Sequence, residues 1–472
     1  MALPPPEPKL SKKKIRIFFF ISAKMAYRVH VFVIPLPIQG HITPMVQFSK
    51  RLASRGVGST IITPSSTSSC VQTNSSLIRI EPIPESGGGQ PDGIAAINDW
   101  FMDLLSKNLA EIASKATDSG CVLAAVVYDS IMPRVADFAH QLGLRAAAFN
   151  SQSCAVFSLY HHADKGNLAA PVEGSTVSLP SMPPLGVDDL PSFLCDNNSY
   201  SSLLKHVLGR NLSTHKADWL LFNTFDELEK ELLEWMATQY PAKVIAIGPL
   251  LPSMYLDKRV RDDDSYGLSL FKYESNKSME WLDSQETGSV VYVSFGSLAN
   301  LNEKQMCEVA LGLIRSKCKF LWVVRSSEQS KLPTHLMEEN SDAGMITNWC
   351  PQLDVLSHPA VGCFVTHCGW NSTLEALSLG VPIVAMPQWT DQPTNAKYLV
   401  DVWNVGIRVL ADKNGLVTTK EVERCLVEVM KGHEGILFKE NAAKWRQLAK
   451  EAVDLGGSSD KSIEEFVSAI SK

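Results

Sequence analysis

Two groups of residues in this chain have the types and spacing that chemistry needs. The denser group runs from Trp349 to Gln392. Gly362 to Thr366 has the composition of a buried strand, and His367 to Trp370 form the loop leaving its carboxyl end. Asn371 and Ser372 then read as N-cap residues of a helix that runs to Leu379 and stops at Gly380. A helix N-terminus beside His367 and two small polar side chains is an anion site. Trp349, at the end of another strand, offers a flat face for a base. Glu375, one turn into the helix, can accept hydrogen bonds from ribose hydroxyls. Asp391 and Gln392 end a loop after the next strand, where they can read sugar hydroxyls. Together these parts describe a nucleotide-sugar site. The second group is smaller. Gln39-Gly40-His41 follows the first strand and Tyr128-Asp129-Ser130 a later one, so both side chains can reach one cleft. A neutral imidazole oriented by a carboxylate suits general-base work.

Such residues need a scaffold that gathers strand ends. From Tyr27 onward, short apolar runs alternate with helical patterns. Val29 to Pro35 is nearly all apolar, as in a strand buried on both faces. Pro35 to Gly40 reads as a turn and Thr43 to Arg55 as a helix stopped by Gly56. The pattern predicts further strands at Ser59–Thr63, Ala124–Tyr128, Ala146–Phe149, Trp219–Phe222 and Val244–Ile247. A second series is predicted at Ser289–Phe295, Phe320–Val324, Met345–Trp349, Gly362–Thr366 and Ile383–Met386. Between the two series, 249–277 is polar, rich in turn residues and expected to be a linker. The fold class is therefore α/β, with two doubly wound Rossmann-like domains facing across a cleft. The expected division is 26–248, the linker, 278–455, and a closing segment 456–472, with 1–25 as a disordered extension.

Composition removes several classes of function. Of 472 residues, 45% are hydrophobic and 20% charged, which is globular. The net charge of −6 carries no basic excess for a phosphate backbone, so no nucleic-acid partner is expected. No apolar run approaches the roughly 18 to 20 residues that span a bilayer. The ten cysteines include no CxxC pair, which fits reduced thiols in a cytoplasmic protein. GxxxxGK[ST], HExxH, GxSxG and a GxGxxG after the first strand are all absent, and no metal site is expected.

The Trp349–Gln392 stretch resembles the signature of plant family 1 UDP-sugar-dependent glycosyltransferases. The resemblance implies a GT-B fold with an N-terminal acceptor domain and a C-terminal donor domain. It places Trp349 on uracil with the backbone of Cys350 near it, and Gln352 and Glu375 at the ribose. His367, Asn371 and Ser372 would hold the diphosphate with Ser297 nearby, and Trp370, Asp391 and Gln392 the hexose. His41 and Asp129 match the family's catalytic dyad. The segment 456–472 resembles the helix that crosses back to the first domain. The implied reaction inverts the α-linked donor and moves glucose from UDP-glucose to a hydroxyl or carboxyl of a small lipophilic acceptor. It needs no cofactor and no metal, and the enzyme is expected to act as a monomer.

Several assignments stay open at this level. A UDP-sugar-binding protein without turnover is one alternative, and a Ser-His-Asp hydrolase another. Gln392 points to glucose over galactose, because an amide can donate to one hydroxyl and accept from another. Tyr160-His161-His162, Leu179 to Pro183 and Tyr255 to Val260 resemble the branch that often glucosylates carboxyl groups. The pair His161-His162 reads as a helix surface pair, and Cys350, Cys363 and Cys368 as packing residues. Pro133-Arg134 stands where the family commonly has Pro-Trp, and Arg134 is expected to face solvent.

Overall fold

Val29–Ile34 (β1) carries five apolar residues of six and is buried over its last five positions. Only a strand covered on both faces can hold such a sequence. The computed structural model describes residues 29–472 except 86–88, 119–120, 133, 173, 175, 197–202, 210–213 and 269–276. The 1–25 extension and Pro133 lie outside the described residues.

The first sheet adds Gly58–Pro64 (β2), Ile78–Ile83 (β3), Val122–Asp129 (β4), Arg145–Asn150 (β5), Trp219–Phe222 (β6) and Lys243–Ala246 (β7). Its order is β3-β2-β1-β4-β5-β6-β7, and every pairing is parallel. The second sheet contains Val290–Ser294 (β8), Lys319–Val323 (β9), Gly344–Thr347 (β10), Val361–Thr366 (β11), Ile383–Ala385 (β12) and Gly406–Arg408 (β13). Its order is β10-β9-β8-β11-β12-β13, again all parallel. Each order reverses between its central strands, β1 with β4 and β8 with β11. Chain leaving such strands in opposite directions opens a crevice at their carboxyl ends. His41 follows β1, Asp129 ends β4, Ser297 follows β8 and His367 follows β11. The two sheets therefore present four of the expected site residues by the same topological device.

Helices fix how the halves meet. Those used below are Gln39–Ala53 (α1), Cys154–Asp164 (α2), Asp226–Gln239 (α3), Trp370–Leu379 (α4), Gln392–Lys397 (α5) and Ser458–Ile470 (α6). Two indoles tie the halves together and a third braces one of them. Trp370 Nε1 donates to the Asn223 carbonyl at 2.8 Å, Trp403 Nε1 to Leu228 at 3.2 Å, and Trp445 Nε1 to Trp403 at 3.0 Å. The last helix, α6, packs on the first sheet's core. Ile463, Phe466, Val467 and Ile470 are buried there with Phe48 and Trp219, and the Phe466 ring lies 5.9 and 5.2 Å from those two. Each such side chain contributes about 1.5 to 3 kcal/mol on burial.

The structure corrects several sequence expectations. Helix α1 begins at Gln39, so His41 stands in its first turn and not in the loop. Pro44 inside that helix removes one donor, which is why the turn reading extended too far. The 249–277 stretch is anchored where it is described: Arg51 pairs with Asp257 at 2.5 Å and Lys50 with Asp263 at 2.8 Å, and Leu250, Leu251 and Leu256 are buried. Strands β3 and β13 were not anticipated; the first is an edge strand that mixes charge into its alternation, and the second has three residues. His161 and His162 are buried, not on the surface. His161 Nδ1 lies 2.6 Å from the Tyr240 hydroxyl and His162 stacks on Trp235, because α2 faces α3. Arg134 is exposed, with its guanidinium over the Phe138 ring. Among the described residues, no helix is long and apolar enough to cross a membrane.

Candidate active site

A cleft of about 560 Å³ lies between the halves, and His41, Asp129, Ser297 and the site residues named between Trp349 and Gln392 all line it. On one wall His41 Nδ1 meets Asp129 Oδ2 at 2.6 Å. Asp129 is buried, and its other oxygen accepts from the Ile131 N–H at 3.2 Å. The imidazole is 21% exposed, so the ring keeps access to the cleft. With Nδ1–H given to the carboxylate, Nε2 is left as the basic nitrogen.

The opposite wall is a chain of hydrogen bonds. Gln352 Nε2 donates to Glu375 Oε2 at 2.5 Å and to Ser372 Oγ at 3.1 Å, while its Oε1 accepts from the Tyr292 hydroxyl at 3.1 Å. Tyr266 donates to the second Glu375 oxygen at 2.6 Å. Gly369 is the N-cap of α4, so Asn371 and Ser372 are its second and third helical residues and not caps. Gly369 is there because of His367: a Cβ at Gly369 would lie 2.6 Å from that ring, and one at Gly296, where φ is +72°, would lie 2.7 Å from it. His367 Nδ1 is buried with no partner among the described residues. A buried ring nitrogen left unsatisfied on a side chain packed against the start of α4 points to a ligand group that meets it in the cleft.

The comparisons with known proteins agree on one answer. Residues 269–452 match the model of the UDP-glucoronosyl and UDP-glucosyl transferase family. UDP-glycosyltransferase 74E2 of Arabidopsis thaliana is 47% identical, over 93% of this chain and 98% of that protein. This chain belongs to the UDP-glycosyltransferase family. Mogroside I-E synthase of Siraitia grosvenorii is 46% identical, over 93% of the chain and 98% of the synthase. The crystal structure of Os79 from O. sativa in complex with UDP superposes with a TM-score of 0.87 at 36% identity, covering 93% of this chain and 100% of that one. Os79 has also been solved with U2F and a trichothecene. The chain is thus a hexosyltransferase with a GT-B fold.

Within this transferase the site's electrostatics are uneven. Burial works against charging His41, but the charge and hydrogen bond of Asp129, with the charge of Asp391, outweigh it and raise the pKa above the usual 6.5. Burial pushes His367 the other way, to about 4, helped by the Arg325 charge and opposed by a hydrogen bond with the Ser294 backbone. A neutral His367 brings no full charge to the cleft. Burial raises Glu375 to about 7 against the hydrogen bonds of Tyr266 and Gln352. It raises Asp391 and takes the Cys350 thiol to about 12, beside the Tyr292 hydroxyl. A thiol so disfavoured as thiolate is a packing group.

Three expected roles change in detail. Trp370 lines the cleft but spends its indole N–H on the Asn223 carbonyl, which joins the halves and leaves that N–H no hydroxyl to read. Asn371 Nδ2 donates to the Gly40 carbonyl at 2.8 Å. That carbonyl is unpaired within α1 because Pro44, four residues on, has no N–H to give it. The second half thus grips the turn that carries His41. Gln392 Oε1 already accepts from the N–H groups of Gln388 and Trp389 at 2.9 and 3.1 Å, leaving its amide as a donor alone. Trp349 lies two residues beyond the end of β10, where Thr347 Oγ1 holds its carbonyl at 3.2 Å. Sequence reasoning missed Ser151, Tyr266 and Arg325. Ser151 Oγ sits 3.1 Å from His41 Nδ1, the nitrogen that Asp129 also binds. A triad nucleophile would occupy the other nitrogen, which counts against the hydrolase alternative. Arg325 secures the Ser297 loop by binding the Ser297 and Ala299 carbonyls. Among the described residues, no group of three His, Cys, Asp or Glu side chains could hold a metal ion.

Proposed function

We propose that this transferase moves glucose from UDP-glucose, with inversion, onto a hydroxyl of a small lipophilic acceptor, and onto a carboxyl as the second acceptor class. The observation that carries this reading is the His41–Asp129 pair at 2.6 Å, opposite the Trp349–Gln392 wall in one cleft. His41 Nε2 takes the acceptor proton as the oxygen attacks the anomeric carbon from the face opposite UDP. Asp129 keeps the proton on Nδ1 and stabilises the imidazolium without taking that proton itself. Trp349 stacks on uracil beside the Cys350 backbone, Gln352 and Glu375 take the ribose, and Asp391 and Gln392 read the hexose. The departing diphosphate is held by His367, Ser297, Ser372 and the first turn of α4. Those donors do the work of a cation, so the transfer is proposed to run without metal, and a chelator should leave the rate unchanged.

The acceptor class follows from the other end of the cleft. Ile38, Ile94, Ile131, Phe193 and Val207 line it near His41. Among the described lining residues there is no Lys or Arg, whereas Asp129, Asp264 and Asp391 are present. An ionised acceptor finds no fixed cation there, which favours neutral hydroxyl acceptors over acids. The similarity to mogroside I-E synthase and to Os79 bound to a trichothecene supports a small-molecule acceptor. Residues 26–248 are assigned to the acceptor and 278–455 to the donor, joined by 249–277 and by the closing segment 456–472. All the assigned site residues lie on one chain, which supports action as a monomer. Ten free cysteines support a reducing compartment such as the cytoplasm.

The test is a screen of purified enzyme with UDP-glucose against phenolic, terpenoid and carboxylic acceptors, read by product mass and by the anomeric coupling in proton NMR. The β-glucoside of a neutral acceptor is expected. UDP release without a glycosylated product would instead mark a hydrolase, and no release at all a binding protein.

A further inference from the structure

Thr390 is β-branched and stands at φ +57°, a left-handed conformation that branched L residues avoid. It immediately precedes Asp391 and Gln392, so its backbone sets where both side chains point. Its own half of the molecule gives little to hold it there. Thr390 Oγ1 donates to Asp391 Oδ1 at 3.2 Å. The firm contacts come from across the cleft. Ser192 Oγ accepts from the Thr390 N–H at 2.7 Å, and the Ser192 N–H donates to the Thr390 carbonyl at 3.0 Å. This reciprocal pair resembles one rung of a β-ladder built between the two halves.

The segment that offers Ser192 is itself pinned. Arg408 donates to Asp189 Oδ1 at 2.8 Å, and Thr394 Oγ1 donates to the Asp189 carbonyl at 2.7 Å. The Phe193 ring meets Trp389 edge-on, with centroids 6.2 Å apart. A rigid support from the acceptor half therefore bears on the one strained residue of the donor loop.

We propose that Ser192 is a positioning residue for sugar transfer: from the acceptor half it holds Thr390 in its strained conformation and thereby fixes Asp391 and Gln392 on the donor hexose. This rests on the reading that Asp391 and Gln392 contact the hexose. The sugar-reading loop is then complete only when the halves are docked, while the uracil, ribose and diphosphate contacts belong to the donor half alone.

Calorimetric titration of the full chain with UDP and with UDP-glucose tests this without an acceptor, because the ratio of the two dissociation constants isolates the hexose. Ser192→Ala should shift that ratio about fivefold against UDP-glucose, as for loss of one hydrogen bond, with UDP affinity unchanged. Ser192→Thr keeps the hydroxyl and should keep the wild-type ratio. Thr390→Asn tolerates the left-handed conformation and should restore the ratio in the Ser192→Ala background. Ser192→Cys, close in size but a poor acceptor, gives the same reading should the alanine variant not fold. An unchanged ratio in Ser192→Ala overturns the proposal. So does an equal loss of UDP affinity, or a failure of Thr390→Asn to rescue. Gln392→Ala separates the two levels: if it leaves the ratio unmoved, the sugar-reading assignment itself fails. If Gln392→Ala moves it and Ser192→Ala does not, only the positioning role fails.

Discussion

The two walls of the cleft are built differently. On the donor wall nearly every polar side chain is already engaged: Gln352 with Glu375 and Ser372, Tyr266 with Glu375, and Gln392 with two backbone N–H groups. On the acceptor wall the polar pair His41 and Asp129, with Ser151 beside it, adjoins the apolar side chains Ile38, Ile94, Ile131, Phe193 and Val207. A preorganised network demands one ligand shape, because each unmatched group in it is left unsatisfied. An apolar wall discriminates weakly among ligands of similar size. One fold thus combines a strict donor site with a permissive acceptor site. In the proposed mechanism the proton transfer sits on the permissive side.

The largest expected effect breaks the acceptor wall at His41. His41→Ala should cost an alcohol acceptor about 10² to 10⁴-fold in kcat/KM, the usual contribution of a general base. A carboxylic acceptor, with a pKa near 4.3 like that of Glu, arrives ionised and should keep a measurable rate. Equal losses on a matched alcohol and acid would remove His41 from the base role.

Next comes the support beneath the acceptor wall. Phe466→Ala empties a ring-sized space between α6 and the first sheet, at a cost of about 3 to 5 kcal/mol. A fall in Tm with the UDP affinity of the folded protein preserved is expected. A Tm equal to wild type would mean that α6 does not secure the first sheet.

Glu375 sharpens the comparison from the donor side. Its carboxyl is raised to about 7, so it is protonated below that pH and ionised above it. Only the ionised form accepts freely from both ribose hydroxyls, so UDP should bind more tightly as pH rises through 7, by about tenfold. Glu375→Gln should bind weakly at all pH values and lose the slope; a slope that persists in this variant would assign it to another group. The smallest effect is expected at Gln392. Its replacement by Ala should narrow the preference for UDP-glucose over UDP-galactose while UDP itself binds as before. Equal wild-type turnover of the two donors would show that Gln392 selects nothing.

The donor wall was the more legible of the two in sequence, for a physical reason. Strand, loop and helix follow one another from Val361 to Leu379, and that local order alone places His367, Ser372 and Glu375 in one crevice. What stayed hidden was supplied from far along the chain. Asn223 occupies the Trp370 indole, Gly40 the Asn371 amide and Tyr266 the Glu375 carboxylate, at separations of 147, 331 and 109 residues. No periodicity reports such pairings. The start of α1 was hidden for the opposite reason. Proline and glycine between Pro35 and Pro44 imitate a turn, while extended Ile38 supplies the N-terminal boundary at φ −130°. His161 and His162 were misplaced because their partners Trp235 and Tyr240 come from the end of α3 and the residue just beyond it, so the covered face of α2 was invisible locally.

The central claim is that His41, held by Asp129, is a base for hydroxyl acceptors. The most direct test is the pH dependence of kcat/KM for a matched alcohol and acid, at saturating UDP-glucose so that Glu375 drops out. Because the His41 pKa is raised, the imidazole is charged and inactive below it and neutral and active above it. The ratio of alcohol to acid rates should therefore rise with pH, with a midpoint above 6.5, and flatten beyond it. A ratio that stays constant through this range would contradict the account.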